Sequence, residues 1–198
     1  MKGVAATIDR IVGAASDTAT AEGLAGLTVG KVADRAGVST ALVHYHFDTK
    51  QRLLAATAER LGQARAERRE KAITVGRSLA VLDALWSVVE ADVASGAERA
   101  WLELQAVART DEAIRLALSL SRTGHRDRLA ARLTVLLREL GSASVVGVEE
   151  LALAFTALLD GLAAALTAGE DPAAVRAAYD AFWLAMIAAG QNPGGRRR

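Results

Sequence analysis

Three histidines are the only imidazoles in this 198-residue chain, and His44 and His46 stand two residues apart. On a helix that spacing turns two side chains apart by about 200°, so the pair cannot chelate one ion. Helical zinc motifs need i, i+4 spacing instead. No cysteine is present to supply a thiolate, which also rules out a disulfide framework and fits a reducing compartment. His125 has no partner in the sequence and reads as a surface or pocket-rim histidine. Neither a G-x-S-x-G stretch nor a phosphate loop occurs, and carboxylates such as Glu90, Asp92, Glu98 and Glu103 are scattered as on ordinary helices. These residues give no reason to expect a metal, a cofactor or an enzyme. The stretch with the richest set of contact-making groups is Thr28 to Leu54, TVGKVADRAGVSTALVHYHFDTKQRLL.

Local signals say how that stretch is held. Val29, Val32, Ala33 and Ala36 recur at i, i+3, i+4 and i+7, so one side of a short helix is apolar. Thr28 stands where an N-cap belongs, and Gly37 stands where a left-handed residue ends the helix. Val38 pins the turn, and Ser39 can cap a second short helix carrying Thr40 to Phe47. Val43 and Phe47 point back to the first helix, while Ala41, Leu42 and Tyr45 point away. Two short helices joined by a Gly-containing turn are the sequence form of a helix-turn-helix.

The block T-x-x-x-V-A-x-x-A-G-V-S-x-x-x-V-x-Y-H-F-x-x-K-x-x-L, with weaker agreement back to Ile8, resembles the DNA-binding signature of the TetR family of repressors. The resemblance implies an all-α fold. It places a three-helix, helix-turn-helix DNA-binding domain at residues 1–50, with a connecting helix at 49–73. A helical ligand-binding and dimerisation domain comes next at 74–190, and 191–198 forms a disordered basic tail. Position by position, it implies that Thr40, Ala41 and Leu42 face bases in the major groove, with His44 beside them. Tyr45, His46 and Lys50 then hold phosphates, which set register while base contacts set sequence. Ser39 caps the reading helix at the same surface, and Thr28 can donate to a phosphate as well as cap. Lys31 lies in the first turn of its helix, where the dipole disfavours a cation. A phosphate would offset that cost, and a plain solvated lysine is the other reading. Leu42 stands where the family usually has a small residue or threonine, and His44 where it often has tyrosine. Both departures bear on which DNA sequence is read.

The remaining elements must support and pair these heads. Ile8, Ile11, Val12, Ala15 and Ala19 mark a first helix over about residues 4–22, ended by Gly23. Its Thr18, Ala19 and Thr20 are smaller than the family's usual residues there. Asp48 is placed to cap the connecting helix. Helical patterns continue around Leu79–Val93 and Trp101–Val107, from Asp111 to Leu140 with Gly124 as a candidate kink, and from Val148 to Thr167. Asp171 and Pro172 open a last helix, giving about nine in all, with no strand-period segment and no repeat. Trp86, Val89, Trp101, Leu104, Gln105 and Phe155 are the candidate lining of the small-molecule pocket that the family's middle helices enclose.

The last two helices are apolar nearly all round, so a partner must cover them. Leu151, Phe155, Leu158, Leu162, Tyr179, Phe182, Trp183 and Met186 are the expected homodimer contacts. Asp160 sits inside the most apolar run, and a central Asp costs roughly 2.5–3.5 kcal/mol on membrane-insertion scales, which argues against a membrane span. The N-terminus lacks the long apolar core of a signal peptide. Net charge is only +1, and without Arg196, Arg197 and Arg198 the chain has 21 basic against 23 acidic residues. DNA binding must therefore come from local placement of charge. The expected function is a cytoplasmic, ligand-responsive transcriptional regulator. It binds a double-stranded, pseudo-palindromic operator as a dimer and is released by an unidentified small molecule. An activator, or a helical carrier or interaction protein with a vestigial helix-turn-helix, is the alternative.

Overall fold

The computed structural model describes residues 2–75, 80–139 and 147–191, and among them runs of helix and no strand. The helices are α1 (Lys2–Gly26), α2 (Val29–Ala36), α3 (Thr40–Phe47), α4 (Lys50–Val75), α5 (Ala80–Ser95), α6 (Ala97–Val107), α7 (Glu112–Glu139), α8 (Val148–Thr167) and α9 (Pro172–Gln191). Gly141, the tail from residue 192 and the side chain of His125 lie outside the described residues.

Several helix starts are set by side-chain caps. Asp111 accepts the Ile114 amide at 3.1 Å and starts α7, and Asp171 accepts the Ala173 amide at 3.1 Å ahead of Pro172. Glycines shape two further boundaries. Gly23 interrupts α1 at φ 74°, ψ 175°, but one more turn lies beyond it. Helix α6 starts directly after Gly96, because that glycine both ends α5 and opens α6 from a left-handed φ of 83°. Helix α7 runs through Gly124 as helix.

The chain divides into two compact units. The first joins the described residues up to Ala66 with Asp92–Arg122. Its core gathers Ile11 and Ala15 of α1, Val32 and Ala33 of α2, and Val43 and Phe47 of α3. Leu53 and Leu61 of α4, Trp101 and Leu104 of α6, and Ile114 and Leu118 of α7 complete it. Hence α6 and the start of α7 share one interior with the helix-turn-helix, although they lie far along the chain. The fully buried Glu98 takes a forked contact from Arg65, with Nη2 at 2.8 and 3.1 Å and Nε at 3.2 Å from its oxygens. Such bidentate pairing is what makes two buried charges tolerable. Arg65 also lies 5.2 Å from the centroid of the Trp101 ring.

The second unit joins Glu67–Ala91 with the described residues from Thr123 onward. Its interior holds Leu85, Trp86 and Val89 of α5, Leu133 of α7, Phe155 and Leu159 of α8, and Tyr179 and Trp183 of α9. Rings meet at centroid distances of 5.4 Å for Trp86–Tyr179 and 5.1 Å for Phe155–Trp183. The Tyr179 hydroxyl donates to the Leu82 carbonyl at 2.9 Å, and burial raises its pKa above the ordinary tyrosine value. Arg69, itself buried, donates to Asp160 at 2.9 Å, so the acid inside the apolar run of α8 has a partner. By length and composition Val148–Thr167 could cross a bilayer. Here it is a helix with one packed face.

Candidate nucleic-acid interface

The stretch from Thr28 to Lys50 is fixed by a chain of local hydrogen bonds. Thr28 is extended at φ −113°, ψ 152°, and its Oγ1 accepts the Lys31 amide at 3.3 Å. Gly37 is left-handed at φ 63°, ψ 42°, and the next amide, Val38, donates to the Ala33 carbonyl at 3.0 Å. This two-residue exit is the αL ending that glycine adopts without a Cβ penalty. Ser39 is extended, and its Oγ accepts the Leu42 amide at 3.1 Å. Helix α3 ends at Asp48, a non-glycine residue at φ 53°, ψ −51°. The Thr49 amide donates back to the Phe47 carbonyl across it. That three-residue γ-turn with positive φ is a strained conformation. The cap of α4 is Thr49, whose Oγ1 accepts the Arg52 amide at 3.3 Å, so Asp48 turns the chain instead of capping. Its carboxylate lies 3.6 Å from Arg52.

Helix α3 is thereby held with two faces. Val43 and Phe47 are 1% and 8% exposed and join the core. Thr40, Ala41, His44 and Tyr45 are exposed, Tyr45 at 81%, and Leu42 and His46 are half-buried. The Tyr45 and His46 rings meet edge to face at 5.2 Å. Ser39, Lys50, Thr28 and Lys31 are exposed as well. Lys31 Nζ is paired with Glu22. Its hydrogen bond, with the charges of Lys31 and Arg35, holds the Glu22 carboxyl below the usual carboxylate range. A phosphate at Lys31 must therefore compete with that carboxylate. Arg10 of α1 carries no signal in the sequence that marks it for this region. Its Nη2 donates to the Ala36 carbonyl at 2.5 Å and the Gly37 carbonyl at 3.1 Å. It satisfies carbonyls that the end of α2 leaves open.

Residues 11–57 match the family model of bacterial regulatory proteins, tetR family. These residues belong to the TetR family. Beyond those residues, the chain shares its fold with solved structures over about nine-tenths of its length. A protein from Rhodococcus sp. assigned to the TetR family of transcriptional regulators shares 24% identity, over 91% of this chain and 98% of its own, with a TM-score of 0.73. A protein from Saccharomonospora viridis assigned as a transcriptional regulator, solved with choline, shares 20% over 90% and 95%, with a TM-score of 0.68. The multidrug binding protein EbrR, solved with ethidium, shares 22% over 88% and 95%, with a TM-score of 0.65. No curated protein sequence matches the chain.

The other expected site residues are divided between the two units. Trp101, Leu104 and Gln105 belong to the first unit, where Trp101 and Leu104 are 2% and 0% exposed. Trp86, Val89 and Phe155 belong to the second unit and are equally buried. A cavity of about 470 Å³ opens in the second unit against Arg126, Asp127, Ala130, Glu149, Glu150 and Leu153, a lining that includes none of those six residues. Of the expected dimer contacts, Leu151, Phe155, Tyr179 and Trp183 are buried within the single chain, while Leu158, Leu162, Phe182 and Met186 are half-buried. Leu153 and Leu184 are 52% and 69% exposed. Ala154, Ala157 and Gly161 of α8 and Ala177, Ala181 and Ala185 of α9 are also exposed.

Proposed function

We propose that this chain is a cytoplasmic, dimeric, ligand-responsive regulator of transcription, a repressor that leaves a pseudo-palindromic operator when a small molecule binds. The observation that carries the reading is α3, capped by Ser39, turned at Asp48, anchored by Val43 and Phe47, and presenting Thr40, Ala41, His44 and Tyr45 outward with Leu42 half-buried beside them. Fixed ends and an unburied face suit a helix that reads a major groove. Tyr45, His46 and Lys50, with Thr28, Ser39 and Lys31, supply the surrounding phosphate contacts. The small exposed residues of α8 and α9, flanked by Leu158, Leu162, Phe182 and Met186, are the surface for a second copy. An effector that binds two conformations unequally shifts the spacing of the two reading helices. Two structural relatives hold organic cations, choline and ethidium. Cations favour aromatic faces, which makes the Trp86, Phe155 and Tyr179 region the place to look for such an effector.

The test is selection of bound duplexes from random DNA, then titration at several salt concentrations. The expected result is a two-fold symmetric consensus. Lys50→Ala should weaken binding to every sequence alike and lower the salt slope by about 0.9 per lost phosphate contact per subunit. Uracil in place of a half-site thymine should weaken the wild type and spare Leu42→Ala. Failure to enrich any sequence would leave a helical small-molecule binder with an idle helix-turn-helix.

A further inference from the structure

Helix α1 is broken at Gly23, and a broken helix leaves carbonyls before the break and amides after it without their usual partners. Members of both sets are taken up by side chains of α6. Arg99 Nη2 donates to the carbonyls of Thr20 at 3.0 Å and Ala21 at 3.1 Å. A Glu103 oxygen accepts the Leu24 amide at 2.5 Å. A Cβ on Gly23 would lie 3.0 Å from that carboxylate, and one on Gly96 would run into the Thr20 carbonyl oxygen, so the two helices approach to backbone contact. Gly96, Arg99 and Glu103 stand at i, i+3, i+7 and so share one face of α6. The other side of α6 carries Glu98, bound by Arg65, and the core residues Trp101 and Leu104.

The segment between the break and α2 is short. The Leu27 amide donates to the Leu24 carbonyl at 3.2 Å, Leu27 is fully buried, and Thr28 then caps α2. The position of Leu24 thus fixes where α2 begins, and α2 carries α3 through the Gly37 turn.

We infer that Arg99 and Glu103 are positioning residues for the DNA-reading head: by clamping the Gly23 break from α6, they set the placement of α2 and α3. This rests on the proposed DNA-reading function. It adds that α6 acts on the head at one point, through two charge-assisted hydrogen-bond sets, which are stronger than neutral ones. A shift of α6 would then reach α3 without any contact between α6 and DNA.

The experiment uses the full chain with Glu103→Ala, Glu103→Gln and Arg99→Ala. Each is measured for hydrogen–deuterium exchange without DNA and for affinity to the duplex that the wild type selects. Glu103→Ala and Arg99→Ala should speed exchange in residues 24–47 while leaving α8 and α9 at wild-type rates. Affinity should fall about tenfold, the scale of one charge-assisted hydrogen bond, with base preference unchanged. Glu103→Gln, which keeps an acceptor for Leu24, should recover most of both. Unchanged exchange in residues 24–47, or faster exchange over the whole chain in step with a lowered Tm, would overturn the clamp. If the wild type selects no duplex, the DNA-reading proposal fails and the exchange measurement alone decides the clamp.

Discussion

Replacing Gly62 with alanine sets two effects of opposite sign against each other. In the middle of α4, alanine is favoured over glycine by about 1 kcal/mol. Gly62, however, faces Ser121 of α7 and Trp101 of α6. An added Cβ would meet the Ser121 Oγ, lie 2.9 Å from the Ser121 Cβ and 3.2 Å from the Trp101 ring. A hydroxyl can rotate away; a Cβ fixed to its backbone cannot. Forcing a methyl into a filled core costs about 1–3 kcal/mol, so Gly62→Ala should destabilise by roughly 1 kcal/mol net and lower Tm by about 2–4 °C. In a Ser121→Gly background both nearest atoms are gone, and only the ring contact is left. There Gly62→Ala should be neutral or stabilising by up to about 1 kcal/mol. Denaturant melts of the four proteins give the coupling directly. A Tm that rises on Gly62→Ala alone, or an equal effect in both backgrounds, would refute the close packing of α4 on α7.

Three further outcomes are expected. Asp48→Gly should be more stable than Asp48→Ala by about 1 kcal/mol, because the positive φ is open to glycine and strained for alanine; equal melting points would remove the γ-turn. Leu158→Glu should give a folded monomer by sedimentation, whereas Trp183→Glu, placing a charge in a 4% exposed core site, should lose near-ultraviolet circular dichroism altogether. Tyr179→Phe should cost about 1–2 kcal/mol by leaving the Leu82 carbonyl without its donor. The folded chain holds the Tyr179 proton above the pH, about 10, at which an unfolded tyrosine releases it. Stability should therefore fall as pH rises past that value, and the fall should be shallower in the phenylalanine variant.

Local chemistry was readable in the sequence, and long-range polar contacts were not. Thr28, Gly37 and Ser39 do their capping within a few residues of their own position, so a helix and its stops could be located from order alone. Asp48 and Thr49 are both competent caps, and only the backbone turn at Asp48 decides for Thr49. Arg10, Arg99 and Glu103 bind backbone groups 26 to 79 positions away, and no periodicity points to such partners. The apolar character of α8 and α9 signalled a need for cover, but helices apolar all round do not say which side faces inward. Tyr179 and Trp183 accordingly went to the chain's own interior along with Leu151 and Phe155. Trp101 sat far from the helix-turn-helix in sequence and in the same core in space, because the first unit closes through α6 and α7.

The eight residues of α3 divide their duties by position. Two side chains and two capped ends hold the helix in place; Thr40, Ala41, His44 and Tyr45 contribute almost nothing to that hold. Under the DNA-reading proposal, this makes specificity easy to change in evolution. Random substitutions at residues 40, 41 and 44 should leave Tm nearly flat while the preferred duplex drifts, since surface positions usually change stability by no more than about 0.5 kcal/mol. A lineage of such chains could diverge in the operators they serve long before it diverged in architecture, and a laboratory library confined to those positions could retarget the regulator without repairing its fold.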